Sequence, residues 1–437
     1  MFTRTQILAI INFNYILKEQ KIGVHVFMKP NNDLTIPQFK PAERFSFFKP
    51  YFFYALDKKI ELLRSQNIDI IRLDIGSPDM PPADFILNAL VEGAHNPQNH
   101  GYMTHGGTQK FRKAISNYYQ DRFQVTLDPN REVIGLLGSK EGLFHLSQAL
   151  LNSDDIALVP DPGYPVYQNS TRMAGAEIFY MPLLEENDFL PDIKLIPTKI
   201  LDRAKIMWLN YPNNPTGAVA PYALLEEVIS FAYKHHIAIA YDAPYCDVCY
   251  DDYKALSIMQ IPHAKDIAIE FNSFSKAYNM AGWRLGMAVG NPQLIEILSN
   301  YKSQADSSTF APLMEAGIAA IDGDQSWLIE RNLIYQHRRN LVVDCLTQAG
   351  FKVIIPKAAI YVWSHIPKGF DSSSQFCDTI LKEAGVSVTP GTVYGNHGEG
   401  YFRISITSNN QRLQEGIQRL INTVKNNSTE KGTIQHE

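Results

Sequence analysis

The chain has 437 residues, 45% of them hydrophobic and 19% charged, and its 40 basic and 45 acidic side chains leave a formal net charge of −5. This composition excludes a disordered chain, a collagen-like repeat and a long coiled coil, and charges without long runs of one sign argue against a nucleic-acid partner. Dividing the length by about 150 residues per domain predicts two or three domains.

The first 36 residues are predicted to be an extension ahead of the folded domains. Within them, the apolar stretch from residue 7 to 17 is interrupted by Asn12 and Asn14, and no small-residue cleavage site follows. We therefore favour an arm packed on the body, or an upstream extension before a true start at Met28, over a signal peptide. No stretch reaches the roughly 18 consecutive apolar residues of a membrane-spanning helix, so we expect a soluble protein without a membrane partner.

From Asp69 onward, short apolar runs alternate with longer helical patterns, which is typical of a parallel sheet flanked by helices. Eight runs are predicted strands, at residues 70–75, 132–137, 156–160, 177–181, 205–209, 237–241, 268–272 and 285–289. Amphipathic segments predict helices over 108–123, 140–151, 221–235 and 292–302. The pattern predicts an α/β fold whose large domain has a mostly parallel sheet of seven or eight strands flanked by helices.

The pattern changes after about Ala320. A long polar helix is followed by an apolar run over 351–366, a helical segment near 375–384, and strands near 386–389 and 401–406. These elements predict a smaller α+β domain, and we expect the segment before the main alternation to pack on it. The predicted domains are therefore an extension (1–36), the first part of the small domain (37–78), the large domain (79–318) and the rest of the small domain (319–437).

Four cysteines, Cys246, Cys249, Cys345 and Cys377, are too few for a disulfide framework in a chain of this length. They favour a reducing compartment, and we expect the cytoplasm. Cys246 and Cys249 form a C-x-x-C pair, but a zinc site needs a second pair or nearby histidines. We expect this pair to pack in or beside a strand, and we predict no metal site.

The most informative segment is 272–286, which reads NSFSKAYNMAGWRLG. Lys276 comes directly after a predicted strand, among small hydroxylated residues, and Arg284 follows eight positions later at the next strand. A lysine amine in surroundings that favour its neutral form attacks a carbonyl carbon and forms a Schiff base with an aldehyde. If the segment stood alone, an ordinary exposed lysine and a structural arginine would explain it better.

Two further predicted strands also end in polar motifs. NYPNNPTG over 210–217 follows one strand, and YDAPY over 241–245 follows the next. Because ligands of open α/β sheets bind beyond the carboxyl ends of the strands, we expect these motifs to converge on one crevice. Neither G-x-G-x-x-G nor G-x-x-x-x-G-K-[ST] is present, so the sequence lacks the motifs that usually indicate a dinucleotide site or a P-loop.

With these motifs in this order, the chain resembles the fold-type-I aminotransferases of class I/II, which depend on pyridoxal phosphate. The resemblance runs from about Ile70 to Ile406. It implies pyridoxal 5′-phosphate as the cofactor, and transfer of an amino group between an L-amino acid and a 2-oxo acid by a ping-pong mechanism. It also implies a homodimer whose active sites are shared between the subunits.

The resemblance implies a role for each residue around the cofactor ring. Lys276 matches the catalytic lysine that binds the cofactor covalently and moves the substrate α-proton. Asp242 matches the carboxylate beside the pyridine nitrogen, where a buried anion keeps the nitrogen protonated. Asn214 and Tyr245 match the pair that hydrogen-bonds the phenolic oxygen, and Tyr164 matches the aromatic ring that stacks on the pyridine face.

The phosphate of the cofactor requires several donors and positive charge. GSKEG over 138–142 lies between a predicted strand and a predicted helix, so backbone N–H groups at the helix start can bind an anion. An arginine can add a bidentate, charge-assisted contact. The residues that match the phosphate ligands of the family are Ser139, Lys140, Ser273, Ser275 and Arg284.

Substrate contacts are implied by the same resemblance. Arg403, in YFRIS over 401–405, matches the arginine that binds the α-carboxylate, with Asn214 beside it. Gly76 matches a glycine whose backbone closes over that carboxylate, although a turn after a strand also explains it. Tyr102 matches a tyrosine that reaches the phosphate of the neighbouring subunit, which requires a homodimer.

Within the family, the chain looks most like the LL-diaminopimelate aminotransferases and their aspartate or alanine relatives, including the stretch GEGYFRIS over 398–405. An aromatic run over residues 45–54 could shape the entrance for a bulkier donor, although core packing is the expected role of most of its rings. Two alternatives share the same motifs: a pyridoxal-phosphate-dependent β-lyase (C–S lyase) and a non-catalytic regulator that binds the cofactor. Retention of Lys276, Asp242 and Arg403 together favours a transaminase over the regulator.

Overall fold

The computed structural model describes residues 39–47 and 52–433, with the side chains of the last helix described through residue 427. The chain divides into two units, Met1–Glu43 and Arg44–Glu437. The predicted extension over residues 1–36 lies outside the described residues, as do residues 48–51 of the aromatic run. The sheets lie in the second unit.

The strands of the described residues form three sheets. The strands are β1 (Ile71–Arg72), β2 (Val133–Leu136), β3 (Ile156–Asp161), β4 (Glu177–Pro182), β5 (Ala204–Asn210), β6 (Ala238–Asp242), β7 (Ala268–Ser273), β8 (Gly286–Gly290), β9 (Val353–Ile354), β10 (Tyr361–His365), β11 (Val386–Ser387), β12 (Thr389–Pro390) and β13 (Tyr401–Ser405). The large sheet has the order β2-β8-β7-β6-β5-β3-β4. Its neighbours run parallel except that β8 is antiparallel to both β2 and β7.

The large sheet confirms the mostly parallel α/β fold and settles the strand number at seven. The prediction that residues 70–75 form an eighth strand was wrong. Only Ile71–Arg72 is a strand, and it pairs in parallel with Val386–Ser387 near the other end of the chain. The backbone N–H of Leu73 donates to the carbonyl of Ser387, so this segment hydrogen-bonds with the C-terminal part rather than with the large sheet.

Helices cover both faces of the large sheet, and other helices pack on the smaller sheet. They are α1 (Phe52–Ser65), α2 (Asp84–His95), α3 (Gln109–Phe123), α4 (Ser139–Leu150), α5 (Val166–Met173), α6 (Thr198–Leu201), α7 (Tyr222–His235), α8 (Ala264–Ile267), α9 (Phe274–Ala277), α10 (Pro292–Ala305), α11 (Ala311–Asp322), α12 (Ser326–Gln348), α13 (Ser373–Thr379) and α14 (Asn410–Thr433). A π-helical segment, Ile380–Ala384, continues α13.

Helix periodicity explains how the large sheet is covered. In α7, Leu225, Val228, Ile229 and Ala232 are buried, which is the i, i+3, i+4, i+7 spacing of one apolar face. They join one core cluster with the α3 side chains, while α4 and α10 contribute to a second cluster. Because both faces are packed, central strands such as β5 read as nearly continuous apolar runs.

The smaller sheet is antiparallel, with the order β12-β13-β10-β9, and its apolar side chains form a cluster with those of α12 and α14. These elements form the predicted α+β part, while the exact domain boundaries stay a prediction. Over residues 39–47 and 52–433, the structure contains no helix that combines the length and the apolar character needed to cross a membrane.

Polar residues end the central strands of the large sheet at one edge. Asp161 ends β3, Asn210 ends β5, Asp242 ends β6 and Ser273 ends β7. Parallel strands bring their carboxyl ends together, so these four residues lie at the edge where ligands of such sheets bind.

Candidate active site

A cavity of about 410 Å³ lies at this edge of the sheet. Its size falls in the range of small-molecule sites. All predicted site residues except Tyr102 line it, namely Gly76, Ser139, Lys140, Tyr164, Asn214, Asp242, Tyr245, Ser273, Ser275, Lys276, Arg284 and Arg403. The structure therefore brings together residues that are far apart in the sequence.

Lys276 lies in the short helix α9 directly after β7. The hydroxyl of Ser273 accepts a hydrogen bond from the backbone N–H of Ser275 at 3.2 Å and thereby caps the N-terminus of that helix. The Lys276 ammonium donates to the backbone carbonyl of Gly76. Burial lowers the pKa of Lys276, and the nearby positive charges of Arg403 and Arg284 lower it further. The amine is thus closer to its neutral, nucleophilic form than a surface lysine is.

Asp242 is buried at the end of β6. Its Oδ2 accepts a hydrogen bond from the Tyr167 hydroxyl at 2.6 Å, whereas its Oδ1 is buried without a partner among the described residues. Burial raises the pKa of Asp242 to about 7, partly offset by the bond from Tyr167. A buried carboxylate oxygen without a donor is costly, and a ligand that carries a positively charged N–H would satisfy it.

The start of α4 forms an anion site together with two basic side chains. Gly138 precedes the helix with φ of 80°, and a side chain at this position would collide with the Arg284 guanidinium. Lys140 is close enough to Arg284 that, besides burial, the positive charge of Arg284 lowers the pKa of Lys140. Crowded positive charge, hydroxyl groups and free helix N–H groups favour a phosphate at this point.

Arg403 lies on β13 in the smaller sheet and is buried. It donates from Nη1 to Asn214 Oδ1 at 2.8 Å and from Nη2 to the backbone carbonyl of Asp74 at 2.6 Å. Its Nε is buried without a hydrogen-bond partner in the described part of the chain. A buried guanidinium with an unused N–H is suited to bind a carboxylate.

Tyr361 is a cavity residue that the sequence did not indicate. Its ring lies 3.8 Å from the Arg403 guanidinium carbon, and its hydroxyl is 3.0 Å from the hydroxyl of Tyr245. A side chain on Gly76 would overlap that hydroxyl, which explains the glycine. Burial alone would raise the pKa of Tyr361, but the positive charges of Arg403 and Lys276 outweigh it and lower the pKa.

We expect Tyr361→Phe to lower the free energy of unfolding by about 1 to 2 kcal/mol, because it removes one partner of a buried hydrogen bond. Denaturant unfolding of the cofactor-free protein measures this loss. The matched control is Tyr335→Phe, since the Tyr335 hydroxyl is buried without a hydrogen-bond partner among the described residues. Its removal should leave stability unchanged or raise it, and equal losses in both variants would contradict the expectation.

Two other features of the cavity were not predicted. Tyr167 holds Asp242 from α5, and no spacing in the sequence distinguishes it from other aromatic residues. Asp57 and Arg72 line the cavity together with Phe53 of the aromatic run, and we call these three residues its outer wall. Of the aromatic run, Phe53 therefore faces the cavity, in line with a role at the entrance.

Core packing does not explain the other described rings of the aromatic run equally well. Phe52 packs against a small cluster around Leu56 and Ile60, and so does Phe53, which also lines the cavity. Phe45, Phe47 and Tyr54 are exposed, so core packing was wrong for these three rings.

Tyr102 lies away from the cavity and is 92% exposed. It follows a short 3-10 helix, Pro97–His100, ahead of α3. Within one chain it therefore does not line the cavity, and its predicted role stays a prediction that requires a second subunit.

None of the four cysteines lines the cavity. Cys246 is buried, Cys249 is partly buried, and all four cysteines are free. Among the described residues, the one group of acidic and histidine side chains close enough to hold a metal ion is Glu141, His145 and Asp306. Lys302 donates to Glu141 and Asp306 at 3.0 and 2.6 Å, so an ammonium already balances this acidic group.

Comparisons with known proteins agree with this geometry. The model of the family "Aminotransferase class I and II" matches residues 68–420. The LL-diaminopimelate aminotransferase of Moorella thermoacetica is 48% identical over 379 residues, which cover 87% of this chain and 97% of that protein. That of Dehalococcoides mccartyi is 45% identical over 383 residues, covering 88% and 98% of the two chains.

Solved structures are similar over the same part of the chain. The substrate-bound BacF structure from Bacillus subtilis superposes with a TM-score of 0.85 at 38% identity, covering 88% of this chain and 98% of that one. Aspartate aminotransferase from Thermus thermophilus with maleate gives a TM-score of 0.82 at 27% identity, covering 88% of this chain and 100% of that one.

Proposed function

Because the chain belongs to the class I and II aminotransferases, it is a pyridoxal-phosphate-dependent transaminase of fold type I, and we propose that its amino donor is LL-diaminopimelate. The enzyme moves an amino group between an amino acid and a 2-oxo acid by a ping-pong mechanism. The proposed amino donor rests on the 48% identity to an LL-diaminopimelate aminotransferase across 97% of that protein. This level of similarity supports the transaminase over the β-lyase and the regulator.

The cofactor supplies one kind of chemistry when it is bound to lysine: it withdraws electrons so that the α-C–H bond of an amino acid can lose its proton. The residues of the chain supply the rest. We assign the proton transfer to Lys276, whose Nζ accepts the proton from the substrate α-carbon. Its lowered pKa supports this role, because a base must be unprotonated before it can accept a proton.

Asp242 is proposed to accept a hydrogen bond from the protonated pyridine nitrogen through Oδ1. The unpaired oxygen supports this assignment, and the Tyr167 hydroxyl fixes the other oxygen. An adjacent cation would reverse the effect of burial on the pKa of Asp242 and keep the carboxylate ionised. The residues of this chain thus hold the proton at that nitrogen.

The remaining assignments follow from chemistry and position in the cavity. Asn214 and Tyr245 are proposed to donate to the phenolic oxygen, and Tyr164 to stack on the ring face. The phosphate is assigned to the start of α4 with its hydroxyl and basic neighbours, namely Ser139, Lys140, Ser273, Ser275 and Arg284.

The α-carboxylate of the substrate is assigned to Arg403, with Asn214 beside it and the Gly76 backbone closing over it. The hydrogen bond from Arg403 to Asn214 supports this pairing, since it orients the guanidinium toward the cavity. Tyr102 is proposed to act at the phosphate of a partner subunit in a homodimer. Its almost complete exposure in one chain is consistent with that role. A cytoplasmic location of the protein and the absence of a nucleic-acid partner also remain proposals.

The test is a panel of amino donors with 2-oxoglutarate as the acceptor, read by the change in cofactor absorbance during each half-reaction. We expect LL-diaminopimelate to have a kcat/KM at least about 10-fold above aspartate, alanine and aromatic amino acids. A preference for aspartate or an aromatic donor would overturn the proposed substrate. Release of ammonia and pyruvate from cysteine-type donors without an acceptor would instead support the β-lyase.

A further inference from the structure

The outer wall of the cavity carries a pair of opposite charges. Arg72, from β1, and Asp57, from α1, line the same cavity as Lys276 and Arg403. None of the roles assigned above uses this pair. Phe53 and Ile75 line this cavity as well, so it offers apolar side chains to a substrate chain that extends from the reaction centre toward the two charges.

Arg72 keeps part of its hydrogen-bonding capacity free. Its Nε and Nη2 each donate to one carboxylate oxygen of Asp74 at 2.7 Å, and its Nη1 donates to Asp57 Oδ1 at 2.8 Å. A guanidinium has five N–H groups, so two remain without a partner among the described residues. The side chain is 20% exposed, which leaves room for a ligand at its edge.

Asp57 is half-exposed, and only its Oδ1 has a partner among the described residues. Its Oδ2 is therefore available to accept a hydrogen bond from a cationic group. Asp74, in contrast, is fully buried between two guanidinium groups, because Arg403 binds its backbone carbonyl and Arg72 binds its carboxylate. Asp74 thus links Arg72 to Arg403 through two different groups.

The charge of this cluster discriminates between substrate classes. One arginine and two aspartates leave Arg72, Asp57 and Asp74 with a net charge of −1. A substrate with only a second carboxylate would meet this negative charge, and a second ammonium alone would leave the two unused N–H groups of Arg72 unpaired. A group that carries both an ammonium and a carboxylate matches both members of the pair.

We propose that Arg72 and Asp57 bind the far end of a diamino dicarboxylate, with the second carboxylate on Arg72 and the second ammonium on Asp57. This inference rests on the proposed function and names the residues that select its donor. A donor that lacks either charge leaves one partially buried group of the site without a partner. A site built from polar groups therefore discriminates against such a donor more strongly than an apolar site would.

The experiment compares Asp57→Asn with the wild-type holoenzyme on two donors, LL-diaminopimelate and 2-aminopimelate, which lacks the second ammonium. Asparagine keeps the shape of the side chain and still accepts from Arg72, but it loses the negative charge. We expect kcat/KM for LL-diaminopimelate to fall about 10- to 100-fold, while that for 2-aminopimelate stays the same or rises. Glu61→Gln, an exposed carboxylate one turn along α1, is the matched control and should change neither value.

Equal losses on both donors in Asp57→Asn would overturn the proposal, because they would mean that Asp57 only fixes the position of α1. A wild-type enzyme that rejects LL-diaminopimelate would overturn the proposed function and this inference with it. The two failures are therefore distinguishable, because only the second is visible in the unmutated enzyme. Unchanged melting temperatures verify that the variants are folded.

Discussion

Lys276→Ala should lower turnover by at least about 10⁴-fold and abolish the visible absorbance of the lysine-bound cofactor. The variant removes the amine to which we assign both the covalent bond with the cofactor and the acceptance of the α-proton. Its neighbours should still bind cofactor noncovalently, since the phosphate and ring contacts are unaffected. Absorbance spectra and single-turnover kinetics measure the two losses separately.

Lys113→Ala is the control for this experiment, because Lys113 is an exposed lysine on α3 that does not line the cavity. It should retain wild-type spectra and turnover. Substantial activity in Lys276→Ala would overturn the assignment of the catalytic lysine, whatever the substrate.

Asp242→Asn should lower kcat by at least about 10²-fold while the cofactor content stays near that of the wild type. The asparagine fits the same space and still accepts from Tyr167, but it carries no charge to keep the pyridine nitrogen protonated. Cofactor content is measured after release in alkali, and kcat with the preferred donor. A parallel loss of cofactor and activity would mean that Asp242 acts mainly in binding.

The same variant should stabilise the cofactor-free protein at pH 8. Burial raises the pKa of Asp242 to about 7, whereas an aspartate in the unfolded chain has a pKa near 4. The unfolded state therefore loses its proton first, and stability decreases as the pH rises from about 4 to about 7. An asparagine does not titrate, so the variant should gain on the order of 2 to 4 kcal/mol over the wild type at pH 8.

Asp344→Asn, an exposed carboxylate on α12, is the control for the stability measurement and should show no gain. Lower activity combined with higher stability of the cofactor-free protein would identify Asp242 as a residue kept for chemistry. Lower stability at pH 8 would contradict the burial argument.

The sequence located the residues at strand ends well, for a physical reason. Lys276, Asp242 and Asn214 follow buried strands, and parallel strands bring their carboxyl ends to one edge, so local motifs were sufficient to place them in one cavity. The fold class followed from the same alternation of strands and helices.

Residues that act through long-range pairing could not be located in this way. Tyr361 lies in the apolar run AAIYVW, and only the pairing of β10 with β13 brings it to Arg403. Asp57 lies within α1 and Arg72 on β1, fifteen positions further on, and nothing in their spacing indicates that they meet. The wrong assignment of residues 70–75 has the same origin, because the partner of this strand lies more than three hundred positions further on.

The pairing of Ile71 with Val386 has a consequence for the order of assembly. All strands of the large sheet lie between residues 133 and 290, so that sheet can form while the ribosome is still adding the C-terminal part. The contact between β1 and β11 closes only when nearly the whole chain has emerged, and contacts of such high sequence separation form slowly. Gly76 and Arg403 therefore meet only after the C-terminal part has emerged, and a chain truncated before β13 would lack Arg403 and with it one side of the cavity.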